Sequence, residues 1–133
     1  MNSLKKTYGL FYDRSGFSSG LVNWYNQLID KSYNDLNVAD VCKMIRQDIL
    51  KDIATHKAID LFLSNPYDGE YDDGGLLNVL VSLDIRNSNA VIVGKLKTML
   101  SDVRQKYTDF EWSDEETKIK YINNVEKMLE NLG

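Results

Sequence analysis

The residues most able to do chemistry lie in one short acidic stretch, residues 65–75, which reads NPYDGEYDDGG. It contains the only proline of the chain and four of its 20 acidic residues. Paired carboxylates can act as a general acid and a general base, but a general acid needs a raised pKa, usually through burial. A glycine-rich loop with four acids is typical of a solvated segment. We therefore predict no catalytic residue here and a protein that is not an enzyme.

The same carboxylates do not match a metal site. Counted from Asp68, an EF-hand loop needs a glycine at its sixth position and a bidentate glutamate at its twelfth, where this chain has Asp73 and Val79. The only histidine, His56, and the only cysteine, Cys42, lie fourteen positions apart and form no usual zinc ligand set. The sequence therefore predicts neither a metal nor a cofactor.

Acidic and aromatic residues in one loop also suit protein recognition. Tyrosines offer a large contact area with a polar tip, and carboxylates can pair with Lys or Arg of a basic partner. If that partner is a nuclease, the acids can mimic phosphates in its active site. The candidate partner-binding residues are Tyr67, Asp68, Glu70, Tyr71, Asp72 and Asp73. The alternative is a solvated loop in which Asp72 or Asp73 caps the helix that follows.

Composition restricts the class of protein. The chain has 133 residues, 43% of them hydrophobic, which is enough for one domain with a real core. Its formal net charge of −4 disfavours direct nucleic-acid binding, which needs clustered Lys and Arg. No apolar run approaches the ~20 residues of a membrane span, and the first residues lack the apolar core of a signal peptide. We expect a cytoplasmic location; the oligomeric state is left open.

Helical periodicity dominates the rest of the chain and predicts an all-α, single-domain bundle of about six helices with short loops. The six runs cover residues 21–31, 38–49, 53–63, 76–83, 90–107 and 114–132. The last has a predicted buried stripe of Ile119, Ile122, Val125, Leu129 and Leu132. Expected N-caps are Ser18 or Ser19, Asn37, Ser88 or Asn89, and Ser113, the last in a capping box with Glu116. Cys42 falls in a buried stripe and is interpreted as a core residue.

The first 17 residues carry little periodicity. Aromatic residues are spread among lysines and glycines there, for example Tyr8, Phe11, Tyr12 and Phe17. We predict that residues 1–17 form an extended arm or loop within the single domain of residues 1–133. Its aromatic side chains either pack on the bundle or contact a partner.

Four elements of the central region carry a resemblance to a known family. They are Leu36–Val41 (LNVADV), Ile45–Gln47 (IRQ), Ala58–Asp60 (AID) and Asn65–Leu77 (NPYDGEYDDGGLL). The last of these is the most specific, because it combines a proline, acids, glycines and a leucine pair. This pattern resembles small bacterial immunity proteins of contact-dependent growth inhibition systems, over roughly 50 of the 133 residues.

The resemblance implies a cytoplasmic antitoxin that binds the C-terminal toxin domain of a cognate effector and blocks it. Toxins of these systems are commonly nucleases, which implies a basic partner and no direct contact with nucleic acid or membrane. Two alternatives from other classes stay open. One is a helical adaptor or self-assembling interaction module, and the other is a small enzyme that uses the loop carboxylates.

Overall fold

The computed structural model describes residues 2–14, 20–85 and 88–133, and within these ranges it is helical with no strand. The helices are α1 (Leu4–Tyr8), α2 (Gly20–Leu28), α3 (Val38–Arg46), α4 (Lys51–Ser64), α5 (Gly75–Val81), α6 (Ala90–Lys106) and α7 (Glu115–Leu132). Single 3₁₀ turns follow α2 and α6, at Tyr33–Asp35 and Tyr107–Asp109. The predicted all-α bundle is confirmed, and each of the six predicted helices is present.

Two central helices organise the core. Helix α4 packs against α3, α5 and α6, and α5 packs against α3, α4 and α7. The fully enclosed side chains include Phe62, Leu76, Leu77, Leu80, Leu96, Leu100 and Val125. A helix of seven residues is too short to be stable in isolation. The position of α5, and of the acidic loop before it, therefore depends on this packing.

The starts of α3 and α6 follow the sequence, and the start of α7 differs from the predicted one. Asn37 accepts a hydrogen bond from the Asp40 backbone N–H in a complete capping box, and Asn89 accepts one from the Val91 N–H, as expected. Helix α7 is capped by Asp114, whose carboxylate accepts from the Thr117 N–H at 2.7 Å, and not by Ser113. Either residue type can cap a helix. Here the Asp114 carboxylate faces the first turn of α7, so Asp114 is the cap. The predicted caps Ser18 and Ser19 lie outside the described residues.

The N-terminal segment contains one short helix, α1, where the sequence predicted an extended arm or loop. Ser3 caps α1 at its start, and Gly9, in the left-handed region at φ 64°, ends it. Leu4 is 1% exposed, and its N–H donates to the Lys31 carbonyl at 2.8 Å. Phe11, by contrast, is 84% exposed. The segment therefore docks through an aliphatic anchor and leaves an aromatic ring in solvent, while Phe17 lies outside the described residues.

Candidate functional site

The acidic loop between α4 and α5 is folded back on itself by backbone hydrogen bonds. The Leu76 N–H donates to the Asp68 carbonyl at 3.0 Å, and the Gly74 N–H donates to the Tyr67 carbonyl at 2.5 Å. Within this closure, the Gly75 N–H donates to the Asp72 carbonyl at 3.0 Å. The loop is therefore a closed turn joined to the first residues of α5, and its backbone is held in one conformation.

Two glycines are required by this closure. A Cβ atom on Gly69 would lie 2.0 Å from the Asp72 carbonyl oxygen, so no side chain fits there. Gly74 has φ +73°, and a Cβ atom on it would lie 2.3 Å from Cδ2 of Tyr121. The glycines that make the motif recognisable in the sequence thus serve close contacts of the backbone.

The start of α5 differs from the expected one. Gly74 is the N-cap, and no side chain caps the helix. Asp72 contributes its backbone carbonyl, and neither its carboxylate nor that of Asp73 caps α5. The predicted capping role of these two side chains is therefore wrong. The left-handed conformation of Gly74 turns the chain into the helix without a side-chain cap.

Tyr67 belongs to an aromatic cluster under the loop. Its ring stacks on Phe110 with centroids 4.3 Å apart and meets Trp112 edge to face at 5.7 Å. Tyr121 lies 5.6 Å from the same ring, and its hydroxyl donates to the Pro66 carbonyl at 2.7 Å. Burial raises the pKa of Tyr67 and of Tyr121, so both phenols stay protonated at neutral pH. The cluster fixes the loop to α7 and to the connection between α6 and α7.

Glu70 forms an ion pair within the protein. Both of its oxygens accept from Arg46 at the end of α3, at 2.8 and 3.1 Å, and the Glu70 side chain is only 13% exposed. The Arg46 guanidinium holds the pKa of this carboxylate below its ordinary value. A bidentate pair of this kind fixes direction as well as distance. Glu70 therefore ties the middle of the loop to α3.

Of the four remaining predicted residues, two are exposed and two are half-buried. Tyr71 is 85% exposed, Asp72 is exposed, and Asp68 and Asp73 are half-buried. One Asp68 oxygen accepts from the Gly69 N–H at 2.8 Å. The structure thus brings all six predicted residues into one loop but divides their roles. Tyr67 and Glu70 hold the loop, the exposed Tyr71 is hydrogen-bonded to Glu70 through its hydroxyl, and Asp72 is exposed.

The sequence analysis did not identify two residues of this site, Tyr121 and Arg46. The burial of Tyr121 could have been predicted from helical periodicity. Tyr121, Val125, Met128 and Leu132 form the buried face of α7, while the predicted stripe residue Ile119 is 51% exposed. The spacing of Tyr121 with Val125 and Met128 is as periodic as the stripe that the sequence analysis chose. Arg46 had no such signal, because its partner lies 24 residues away.

Other titratable groups among the described residues include a buried thiol and a surface cluster around Tyr33. Burial raises the pKa of the Cys42 thiol to about 11, which leaves it protonated, and Cys42 is 1% exposed as the core interpretation requires. On the surface, the Tyr33 hydroxyl contacts His56 Nδ1 at 2.8 Å and Asp60 at 2.5 Å. No group of three His, Cys, Asp or Glu side chains in the described ranges is placed to hold a metal ion.

Comparison with known proteins gives one family. A family model described as CDI immunity proteins matches residues 11–91, which is 81 of the 133 residues. The match includes α2 to α5 and the whole acidic loop. No curated protein matches the chain. Among the described residues, no helix is both long enough and apolar enough to cross a membrane.

Proposed function

The chain belongs to the family of contact-dependent growth inhibition (CDI) immunity proteins, and on that premise we propose that it binds and blocks the C-terminal toxin domain of a cognate CDI effector. The observation that carries the proposal is the family match over residues 11–91. We further propose that the toxin domain is a nuclease with a basic surface. The protein acts in the cytoplasm by binding alone, and it uses neither catalysis nor a cofactor.

The distribution of charge supports a basic partner. Residues 11–91 contain twelve acidic and seven basic side chains, so this region carries −5 although the whole chain carries −4. Nucleases hold the phosphate backbone through Lys and Arg side chains. Opposite charges on two partners speed their encounter and disfavour wrong partners. The family-matched region is thus the acidic part of the protein and suits such a toxin surface.

The contact residues in this proposal are those of the acidic loop, with different roles. Tyr71 and Asp72 make direct contact, since both side chains are exposed. Asp68 and Asp73, which are half-buried, add negative charge at the edge. Tyr67 and Glu70 act through the loop's position. An exposed tyrosine beside carboxylates is a residue type enriched at interface hot spots.

The rigidity of the loop supports the same assignment. Its backbone is closed by hydrogen bonds, Glu70 is fixed by Arg46, and Tyr67 is stacked on Phe110. Binding by a loop that is already ordered loses less conformational entropy than binding by a flexible one. An exposed ring on a rigid loop is therefore a good anchor for a tight complex.

The first experiment is co-expression with the CDI toxin encoded beside this protein. We expect cells that carry the protein to survive induction of the toxin. The purified protein should also form a stable complex with the isolated toxin domain. Cell death despite soluble expression of the protein would overturn the proposed immunity function.

The second experiment locates the interface. The double variant Tyr71→Ala, Asp72→Lys should bind the toxin domain at least about 30-fold more weakly, which corresponds to a hot-spot loss of about 2 kcal/mol. Its thermal stability should fall only slightly, because both side chains are exposed and the fold loses only the hydrogen bond from the Tyr71 hydroxyl to Glu70. The matched control is Ile119→Ala, Glu130→Lys on α7, which makes the same change in net charge at exposed positions. If both double variants bind alike, the loop is not the interface.

A further inference from the structure

A second surface lies on α6, away from any role assigned above. An open groove of about 640 Å³ runs along this helix beside Leu63 of α4. Val91 at one end is 64% exposed, and Met99 further along is half-buried. Between them, a Cβ atom added to Gly94 would have nothing within 4 Å. The groove is thus a shallow apolar strip whose middle lets another chain approach closely.

The strip carries one positive and one negative side chain. Lys95 and Asp102 both line the groove and are seven residues apart, so they lie on one face of α6, two turns from each other. In the part of the chain that the structure describes, the Lys95 side chain has no hydrogen bond or ion pair. Asp102 pairs with Lys106 at 3.0 Å, with both side chains more than half exposed. Exposed pairs of this kind are weak and exchange partners easily.

We propose that this face binds a second copy of the chain, with the two α6 helices antiparallel about a two-fold axis near Thr98 and Met99. In such an interface, if residue i of one copy contacts residue j of the other, then residue j of the first copy contacts residue i of the second. Lys95 of each copy then meets Asp102 of the other, which gives two ion pairs. Thr98 of each copy lies opposite Met99 of the other, and the lack of a side chain at Gly94 lets the helices approach.

The mixed charge of the strip favours a copy of the chain over a different partner. A uniformly acidic helix in the groove would meet Asp102, and a uniformly basic one would meet Lys95. A second, antiparallel α6 places an opposite charge against each of these two side chains. A single helix pair buries an area near or below the lower end of specific interfaces, roughly 1,200 Å². We therefore expect a weak dimer, with a Kd on the order of micromolar.

Sedimentation equilibrium of the full-length protein without toxin, from about 1 μM to about 1 mM, tests the dimer. The wild type should shift from monomer to dimer within this range. Lys95→Asp alone and Asp102→Lys alone should each weaken the Kd by about tenfold or more, because each change places two like-charge pairs in the interface. Matched controls are Lys97→Asp and Asp109→Lys, which make the same charge changes away from the groove lining.

Mixing the two single variants tests the antiparallel register. One variant carries Asp at 95 and at 102, and the other carries Lys at both positions, so a mixed dimer regains both attractive pairs. We expect the mixture to associate at concentrations where neither variant does alone. A wild type that stays monomeric to about 1 mM, or a mixture no stronger than its components, would overturn the proposal. This test is independent of immunity, since no variant alters the acidic loop.

Discussion

The sequence predicted Glu70 as a partner-binding residue, but in the structure its carboxylate forms an ion pair with Arg46. We predict that Glu70→Gln lowers the free energy of unfolding by about 1 kcal/mol at pH 7, because it removes the negative charge to which Nη1 and Nη2 of Arg46 donate hydrogen bonds. Arg46 lowers the pKa of Glu70 in the folded state below the ordinary 4.5. The stabilisation is therefore complete above pH 4.5 and is lost as the pH falls through the lower, folded pKa.

Urea denaturation of both proteins at a series of pH values measures this difference. The gap between wild type and Glu70→Gln should close in acid, below pH 4.5. Asp72→Asn is the control, because the exposed Asp72 carboxylate makes no hydrogen bond or ion pair within the described ranges. A gap that stays constant well below pH 4.5 would show that Glu70 stabilises the fold by some means other than its charge.

The residues predicted correctly from the sequence are those whose contacts are local. The cap of α3 joins Asn37 to Asp40, three residues apart, and can be read directly from the order of residue types. The contact between Gly74 and Tyr121 joins the N-cap of α5 to α7, and no local pattern encodes it. The same holds for Arg46 and Glu70. For this reason the sequence could identify the loop as a candidate site, but it could not predict which of its side chains hold the loop and which are exposed.

At the scale of elements, the turn between α3 and α4 holds the clearest backbone strain. Asp48 has φ 54° and follows the C-cap of α3. The Ile49 N–H donates to the Met44 carbonyl and the Asp48 N–H to the Ile45 carbonyl, which is the Schellman arrangement. Glycine is the preferred residue at this left-handed position, because a side chain there is strained. The chain instead has an exposed aspartate.

We predict that Asp48→Gly raises the free energy of unfolding by up to about 1 kcal/mol, since it relieves this strain while Asp48 has no buried contact to lose. Leu50 in the same turn also has positive φ, at 47°, but its side chain packs against the core. Leu50→Gly is therefore the comparison, and it should destabilise the protein through lost packing. Chemical denaturation of both variants measures their free energies of unfolding relative to wild type. An Asp48→Gly protein less stable than wild type would mean that the aspartate side chain contributes to the turn.

The positions of the helices could be predicted from the sequence, but the face of each helix that is buried could be predicted less well. For α7, two stripes of apolar residues have equal helical spacing, one through Ile119 and one through Tyr121. The structure buries the second, because Tyr121 reaches the carbonyl of Pro66 and covers Gly74. The loop and the packing of α7 on α5 and α6 decide between the stripes, so the choice depends on tertiary structure. Periodicity gives the existence of a helix more securely than its orientation.

At the scale of the whole molecule, the family-matched region packs against the part of the chain that follows it. The match ends at residue 91, yet α5 packs on α7, and the acidic loop rests on Tyr121, Phe110 and Trp112. A fragment of residues 1–89 would expose the leucines of α5 and lose the support of the loop. We predict that this fragment shows no cooperative thermal unfolding and does not bind the toxin domain.

Circular dichroism on heating and a pull-down with the toxin domain measure the two outcomes. Full-length Tyr121→Phe is the graded control, because it keeps the aromatic ring and removes only the hydrogen bond to Pro66. It should unfold cooperatively with a loss of about 1 kcal/mol. A sharp transition in the fragment would show that α2 to α5 fold without α6 and α7. The acidic loop would then owe its shape to its own closure and to Arg46 alone, and the aromatic cluster would be a consequence of the fold and not a condition for it.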